Sequence, residues 1–89
     1  RSVVMPQISK FYGIIILMNF KDHCPPHFHA WYNEYRIIVN IADGEINGIM
    51  PARAVRLILE WWEINKEQLE EYWYRAQIGK PLGTISPLK

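Results

Sequence analysis

The sequence has little of what marks several classes of protein. It contains one cysteine, Cys24, so no disulfide can form within the chain and a reducing compartment is favoured. No apolar run approaches the roughly 18 residues of a membrane span, and no segment has the layout of a signal peptide. The formal net charge is only +1, so no strong attraction to nucleic acid or to an anionic membrane is expected. These absences predict a cytoplasmic protein.

Apolar and aromatic side chains are abundant instead. Apolar residues make up 49% of the chain, and they include four Trp, five Tyr and three Phe, which favours a folded core over disorder. A chain of 89 residues fits one domain and buries roughly 60–65% of the surface that it exposes when unfolded. We expect a single α+β domain over residues 5–89. Residues 1–4 precede Met5-Pro6, which has the form of a natural start, so we interpret them as an upstream extension or an expression remnant.

The first half of the sequence has the patterns of β-strands. Three runs of β-branched and aromatic residues predict strands at residues 13–20, 27–32 and 36–41. The short segment 33–35 predicts a hairpin connection, with Asn33 as its left-handed residue. Asp43-Gly44 predicts a second turn, after which residues 45–49 pair back as a short fourth strand. The sheet should therefore be an antiparallel meander of three to four strands.

After Pro51 the pattern becomes helical. The spacing of an amphipathic helix is followed by Val55, Ile58, Leu59 and Trp62. Asn65 predicts the N-cap of a second helix over residues 66–78, which Gly79 ends. Strands followed by helices predict an α+β domain with two C-terminal helices packed on one face of the sheet. The surplus of Trp and Tyr in so small a domain predicts a homodimer or a protein partner.

The segment 22–30, DHCPPHFHA, concentrates groups that bind metals or move protons. It holds all three histidines of the chain, one aspartate and the only cysteine around two consecutive prolines. An extended backbone at Phe28 would project the rings of His27 and His29 from one face of the sheet and send Phe28 into the core on the other. The residues alone leave three interpretations of this segment open.

The first interpretation is a site for a divalent transition metal. His27 and His29 supply two nitrogen ligands, and His23 folds back across the prolines as a third, with Asp22 as a ligand or as the partner of an imidazole. Three protein ligands and one open position are typical of a catalytic zinc-type site. Cys24 is a further candidate ligand. The remaining position would be filled by water, Asp43, Glu34 or Glu45.

The second interpretation is catalysis without a metal. His27 and His29 act on RNA as general acid and base, one taking the proton of a ribose 2′-hydroxyl and the other protonating the leaving oxygen. Asp22 orients one imidazole, and His23 belongs to the same catalytic group. The phosphate is stabilised by Arg36, Arg53 and Arg56. The near-neutral net charge weighs against this interpretation, because proteins that bind RNA usually have a basic patch.

The third interpretation is structural. Asp22 accepts a hydrogen bond from a backbone N–H or from His23, and the two prolines hold the turn in place. The imidazoles then cover aromatic rings beside the turn and have no chemical role. A lone His-x-His pair occurs often by chance, so this interpretation has more weight than either of the others.

Three segments of the chain are distinctive when they are taken together: MPQISKFYGIIILMNFKDHCPPHFHA, MPARAVRLILEWWEINKEQLEEYW and the closing ISPL. Through them, residues 5–88 resemble a family of small bacterial proteins known as domain of unknown function 4160. The family typically has asparagine at the position of Cys24. This difference argues against a required thiol ligand or a cysteine nucleophile.

The resemblance implies a function in which a partner protein takes part. Members of the family are similar in size and gene context to toxin–antitoxin components, which implies a toxin-like bacterial effector that a small antitoxin-like protein inhibits. Together with the histidine cluster, this makes an effector directed at RNA the leading hypothesis. The resemblance also implies that the functional surface contains Asp22, His23, His27 and His29. Two rival hypotheses come from other classes: a metal-binding hydrolase or oxygenase-like enzyme, and a protein-interaction module without catalysis.

Overall fold

The computed structural model describes residues 5–89, so the prediction made for residues 1–4 lies outside the described range. Five antiparallel strands form one sheet in the order β1-β2-β3-β4-β5, and each pairs with its neighbours in the sequence. The strands are β1 (Gln7–Phe11), β2 (Ile14–Leu17), β3 (His27–Tyr32), β4 (Tyr35–Asn40) and β5 (Ile46–Gly48). One helix, α1 (Ala52–Gln77), follows them. The α+β class, the antiparallel sheet and the order of sheet before helix are confirmed.

The number of strands differs from the prediction of three to four because β1 has no clear pattern. The pairing of β1 with β2 shifts its register between Gln7 and Ser9, and this bulge places Ile8 and Ser9, two consecutive residues, in the interior. Period-two alternation, the signal on which a strand prediction rests, is therefore lost in a strand of only five residues. The hairpin between β3 and β4 is as expected, with Asn33 at φ 53°.

The structure has one helix where two were predicted, because the chain continues through Asn65 as a single kinked helix. Asn65 has non-helical backbone angles, φ −114° and ψ 20°, so the break in regular geometry is at the predicted residue. Its side-chain amide donates to the carbonyl of Trp61, one turn back, at 2.9 Å, and this bond bridges the kink. Since residues 52–77 contain neither Gly nor Pro, nothing else interrupts the helix.

Alternation along the strands gives the sheet a helix face and an outer face. On the helix face, Phe28 is fully buried and its ring centroid lies 5.6 Å from that of Trp61 in α1. The helix face is formed by Phe28 and Ala30 of β3, Ile37 and Val39 of β4, and Ile14 and Ile16 of β2. The outer face is formed by His27, His29 and Trp31 of β3 with their partners Asn40, Ile38 and Arg36 of β4.

The core between the sheet and α1 is centred on Trp61. Its ring lies between those of Phe11 and Phe28, and its indole N–H donates to the carbonyl of Ser86 at 2.9 Å. The C-terminal segment returns to β1, where the backbone N–H of Ile85 donates to the carbonyl of Ile8 at 2.7 Å. This segment covers one edge of the sheet. Within residues 5–89, no helix combines the length and the apolar character needed to cross a bilayer.

Substitution of two isoleucines in α1 tests which face of this helix is buried against the sheet and which is exposed. Ile58 is fully buried, whereas Ile64 is 69% exposed. Ile58→Ala should lower the free energy of unfolding by about 2–5 kcal/mol, because it leaves a cavity in the core. Ile64→Ala, the matched control, should change it by no more than about 0.5 kcal/mol. Equal effects of the two substitutions in urea denaturation would contradict this packing.

Candidate metal centre

The predicted extended backbone at residues 27–29 is confirmed, and it determines where the imidazoles lie. His27 pairs with Asn40 and His29 with Ile38 across the β3–β4 ladder, so both rings leave the same face of the sheet. Phe28 is between them in the chain and is fully buried on the helix face. The imidazole centroids of His27 and His29 are 5.3 Å apart. The strand therefore sets the two rings side by side above a rigid sheet.

Asp22 connects the loop before β3 to both of these histidines. Its Oδ2 lies 2.9 Å from Nε2 of His27 and 3.7 Å from Nε2 of His29. Its Oδ1 accepts a hydrogen bond from the backbone N–H of His23 at 2.9 Å, and the Nδ1 of the same residue lies 3.0 Å away. One carboxylate thus faces three imidazoles, two of them through a single oxygen.

The pKa of Asp22 is lowered by its hydrogen bonds in spite of burial. Burial by itself raises this pKa, but the backbone N–H of His23, the ring of His27 and the positive charges of both imidazoles outweigh it. The carboxyl group is consequently ionised at neutral pH. An ionised carboxylate is the form that binds a metal or pairs with an imidazolium.

His27 faces hydrogen-bond acceptors through both ring nitrogens. Its Nδ1 lies 2.8 Å from the carbonyl oxygen of Pro25, and its Nε2 lies 2.9 Å from the carboxylate of Asp22. A neutral imidazole has one N–H and can donate to only one of these acceptors. Two states satisfy the site: an imidazolium that donates twice, or a neutral ring that donates from Nδ1 and binds a cation through Nε2.

The Nε2 of His29 is a buried polar atom without a hydrogen-bond partner among the described residues. Burial lowers the pKa of this imidazole, and the charge of His27 lowers it further, while the charge of Asp22, whose Oδ2 lies 3.7 Å from Nε2, acts in the opposite direction. The ring is therefore neutral at neutral pH. A buried nitrogen without a partner is costly to the folded state and calls for an explanation.

Together, Asp22, His27 and His29 form a compact donor set. One ligand atom from each residue lies within 4.8 Å of the other two. Two imidazole nitrogens and one carboxylate oxygen are typical ligands of zinc and other divalent transition metals. This set differs in one member from the predicted ligands His23, His27 and His29, because the side chain of His23 is 89% exposed and Asp22 takes its place.

A cleft of about 310 Å³ opens in front of the donor set. Its walls are formed by Asp22, His23, Pro25, His27, His29, Ile38, Asn40 and Asn47. Neither exposed Cys24 nor the carboxylates proposed as a fourth ligand line this cleft. An open coordination position on a metal held here would therefore face water or a substrate in the cleft.

Asn40 and Asn47 are site residues that the sequence analysis did not identify. Asn40 stands opposite His27, and Asn47 stands opposite Ile38, which is itself opposite His29. The two turns that determine this register, at Asn33 and at Asp43-Gly44, are visible in the sequence. Carrying the register across both hairpins would have placed the two amides beside the histidines.

The three predicted phosphate-binding arginines lie apart from one another. Arg36 is on the outer face, opposite Trp31, and its guanidinium carbon lies 4.4 Å from the centroid of that ring. Arg53 borders a small cavity with Tyr12 and Tyr32, at the far end of β3 from His27. Exposed Arg56 is in the first turns of α1, and neither helix arginine lines the cleft. Of the three, only Arg36 shares a sheet face with the histidines.

The fold and the site define a small α+β domain with an Asp-His-His cluster on one face of a β-meander. The chain belongs to the family described as domain of unknown function (DUF4160), whose profile matches residues 13–74. The matched range contains the whole cluster, both asparagines and most of α1. Comparison with curated proteins finds no match, and comparison with solved structures finds none.

The coupling between the imidazoles can be measured in the metal-free protein. We expect His27→Gln to raise the pKa of His29, because it removes the neighbouring charge that lowers this pKa. Titration of the ring carbon and proton signals of His29 by NMR measures the shift. His23→Gln is the matched control, and it should leave the His29 titration unchanged. A downward shift in His27→Gln would contradict the proposed arrangement of charges.

Proposed function

We propose that this protein is a small metal-dependent hydrolase and that Asp22, His27 and His29 hold a divalent transition metal. The observation that supports this most directly is the buried, unpartnered Nε2 of His29, which faces the carboxylate of Asp22. A metal ion at the point where the three ligand atoms converge would give this nitrogen a partner. The metal ion would also balance the negative charge of Asp22. His27 could then remain a neutral imidazole instead of an imidazolium that carries a proton on each nitrogen.

The surroundings of the donor set have the features of a metal centre. The Nδ1–H of His27 donates to the carbonyl of Pro25, and such an outer hydrogen bond fixes the tautomer that leaves Nε2 free for a metal. The outer Oδ1 of Asp22 is held by the backbone N–H of His23. Packing at the end of the sheet adds to this order: His27 is the first residue of β3, and its ring lies 5.2 Å from that of buried Trp73 in the last turns of α1. The ligands are thus oriented by the fold before a metal arrives.

Such a centre supplies the chemistry of hydrolysis. A divalent metal held by these three residues would lower the pKa of a bound water, to about 7 in favourable zinc sites, and would polarise the bond that is attacked. Water adds its oxygen to the electrophilic carbon or phosphorus, the bond to the leaving group breaks, and a proton from the water ends on the leaving group. Exposed His23 lines the cleft beside Asp22 and can carry that proton.

Metal content and affinity test this proposal. Protein purified without a chelator or an affinity tag should contain about one equivalent of zinc, manganese, iron or nickel. His29→Ala and Asp22→Ala should weaken binding by more than the roughly 10–100-fold that loss of an outer-shell partner costs. Elemental analysis and calorimetry with the stripped protein measure these quantities.

His23→Ala is the matched control, because it removes an imidazole of the same loop that lies outside the donor set. Its metal affinity should fall by no more than the roughly 10–100-fold that loss of an outer-shell partner costs. Absence of a bound transition metal, together with no thermal shift on addition of any of the four metals, would exclude a metal-dependent function.

A second candidate is a metal-free effector of a toxin–antitoxin module, directed at RNA and inhibited by a small partner protein. The observation that favours it is the contrast between the two imidazoles: His27 has acceptors for two protons, whereas His29 is neutral. His29 takes the proton of a ribose 2′-hydroxyl, whose oxygen attacks the adjacent phosphorus. The bond to the leaving 5′-oxygen breaks, and His27 donates a proton to that oxygen.

Inducible expression in bacteria separates this candidate from the first. The effector should arrest growth and degrade RNA unless the product of the adjacent gene is expressed with it. RNA cleavage by the purified protein should persist in the presence of a chelator and be lost in His27→Ala and His29→Ala. Unimpaired growth in both conditions, with intact RNA, would exclude the effector.

A further inference from the structure

The outer face of the sheet carries a positively charged row next to the metal ligands. Register pairs Lys10 with Ile15, Ile15 with Trp31, and Trp31 with Arg36, so these side chains form one row across four strands. The neighbouring row contains His29 and Ile38. It is separated from the first row by two residues, or roughly 7 Å, along each strand. Among the described residues, neither Lys10 nor Arg36 forms an ion pair.

Arg36 is the cation of this row that the structure holds in a definite position. Its Nη1 donates to the carbonyl oxygens of Asn33 at 2.7 Å and Tyr35 at 3.1 Å. Its guanidinium also lies over the ring of Trp31, at 4.4 Å from the centroid. An exposed arginine usually loses side-chain entropy when it binds an anion, and these contacts reduce that loss in advance.

These contacts leave one edge of the guanidinium free. The two hydrogens of Nη1 are donated to the two backbone carbonyls, while Nε and Nη2 have no partner among the described residues. The N–H groups of Nε and Nη2 point in parallel, which matches two oxygens of a phosphate or a carboxylate. The free edge is thus a preformed donor pair for an oxyanion.

We infer that Arg36 is the subsite that binds an anionic group of the substrate hydrolysed at the Asp22–His27–His29 centre. The role of this subsite in substrate binding rests on the proposed hydrolase function, whereas the binding of an anion at Arg36 does not depend on the metal. The substrate would carry a phosphate or carboxylate group that binds Arg36. This group would be separated from the bond that is hydrolysed by at least the distance between the two neighbouring rows of side chains. Exposed Ile38, between the two positions, would contact the apolar part of such a molecule.

The test is an NMR titration of the whole, metal-stripped chain with inorganic phosphate and, separately, with acetate. At mildly acidic pH and constant ionic strength, the Nε–H signal of Arg36 and the indole N–H signal of Trp31 should shift and saturate. Arg36→Gln should weaken binding at least about tenfold, the factor expected for lost hydrogen bonds to a charged group. Arg36→Lys should bind with intermediate affinity, because it keeps the charge but not the paired donors.

Arg53→Gln is the matched control, since it removes an arginine at the helix start, away from the outer face, and it should bind as the wild type does. Tighter binding of phosphate than of acetate would indicate a phosphorylated substrate, and the reverse order a carboxylate; either result supports the subsite. Shifts that do not saturate, or equal affinity in Arg36→Gln, would overturn it. Since no metal is present, this outcome is independent of whether the metal proposal holds.

Discussion

The geometry of the site depends on the extended backbone of β3 and on the burial of one phenyl ring. Phe28 is fully buried against Trp61, so the strand cannot rotate without removing this ring from the core. A shift of one residue in register would also exchange the two faces of the strand. The positions of His27 and His29 on the outer face are therefore held by the same packing that stabilises the domain.

On this rigid strand, a single carboxylate lies close to both imidazoles. Asp22 is ionised because hydrogen bonds and nearby positive charges outweigh its burial, and its Oδ2 approaches the Nε2 atoms of His27 and His29. Nε2 of His29 has no hydrogen-bond partner among the described residues. The divalent cation that we propose at this donor set would give that atom a partner.

The sequence patterns predicted the strands that obey simple periodicity and failed where a local interaction overrides it. The extended His27–His29 segment and the left-handed Asn33 follow from alternation and turn chemistry. The bulge in β1 abolishes alternation, so that strand has no recognisable pattern. Asparagine is a residue that N-caps favour, but the side-chain amide of Asn65 donates a hydrogen bond to the carbonyl of Trp61, and the helix continues. Such side-chain bonds depend on a rotamer, which a linear pattern does not specify.

By itself, the sequence determined the chemical groups and the face on which two of them lie, because side chains alternate along any extended strand. Tertiary structure decided which groups meet. The fold brings Asp22 into the donor set, leaves His23 exposed, and adds Asn40 and Asn47 through the register of two hairpins. It also separates the arginines, of which only Arg36 shares the outer face. These outcomes depend on how a loop closes and how strands align in space, and both are determined by packing between residues far apart in the chain.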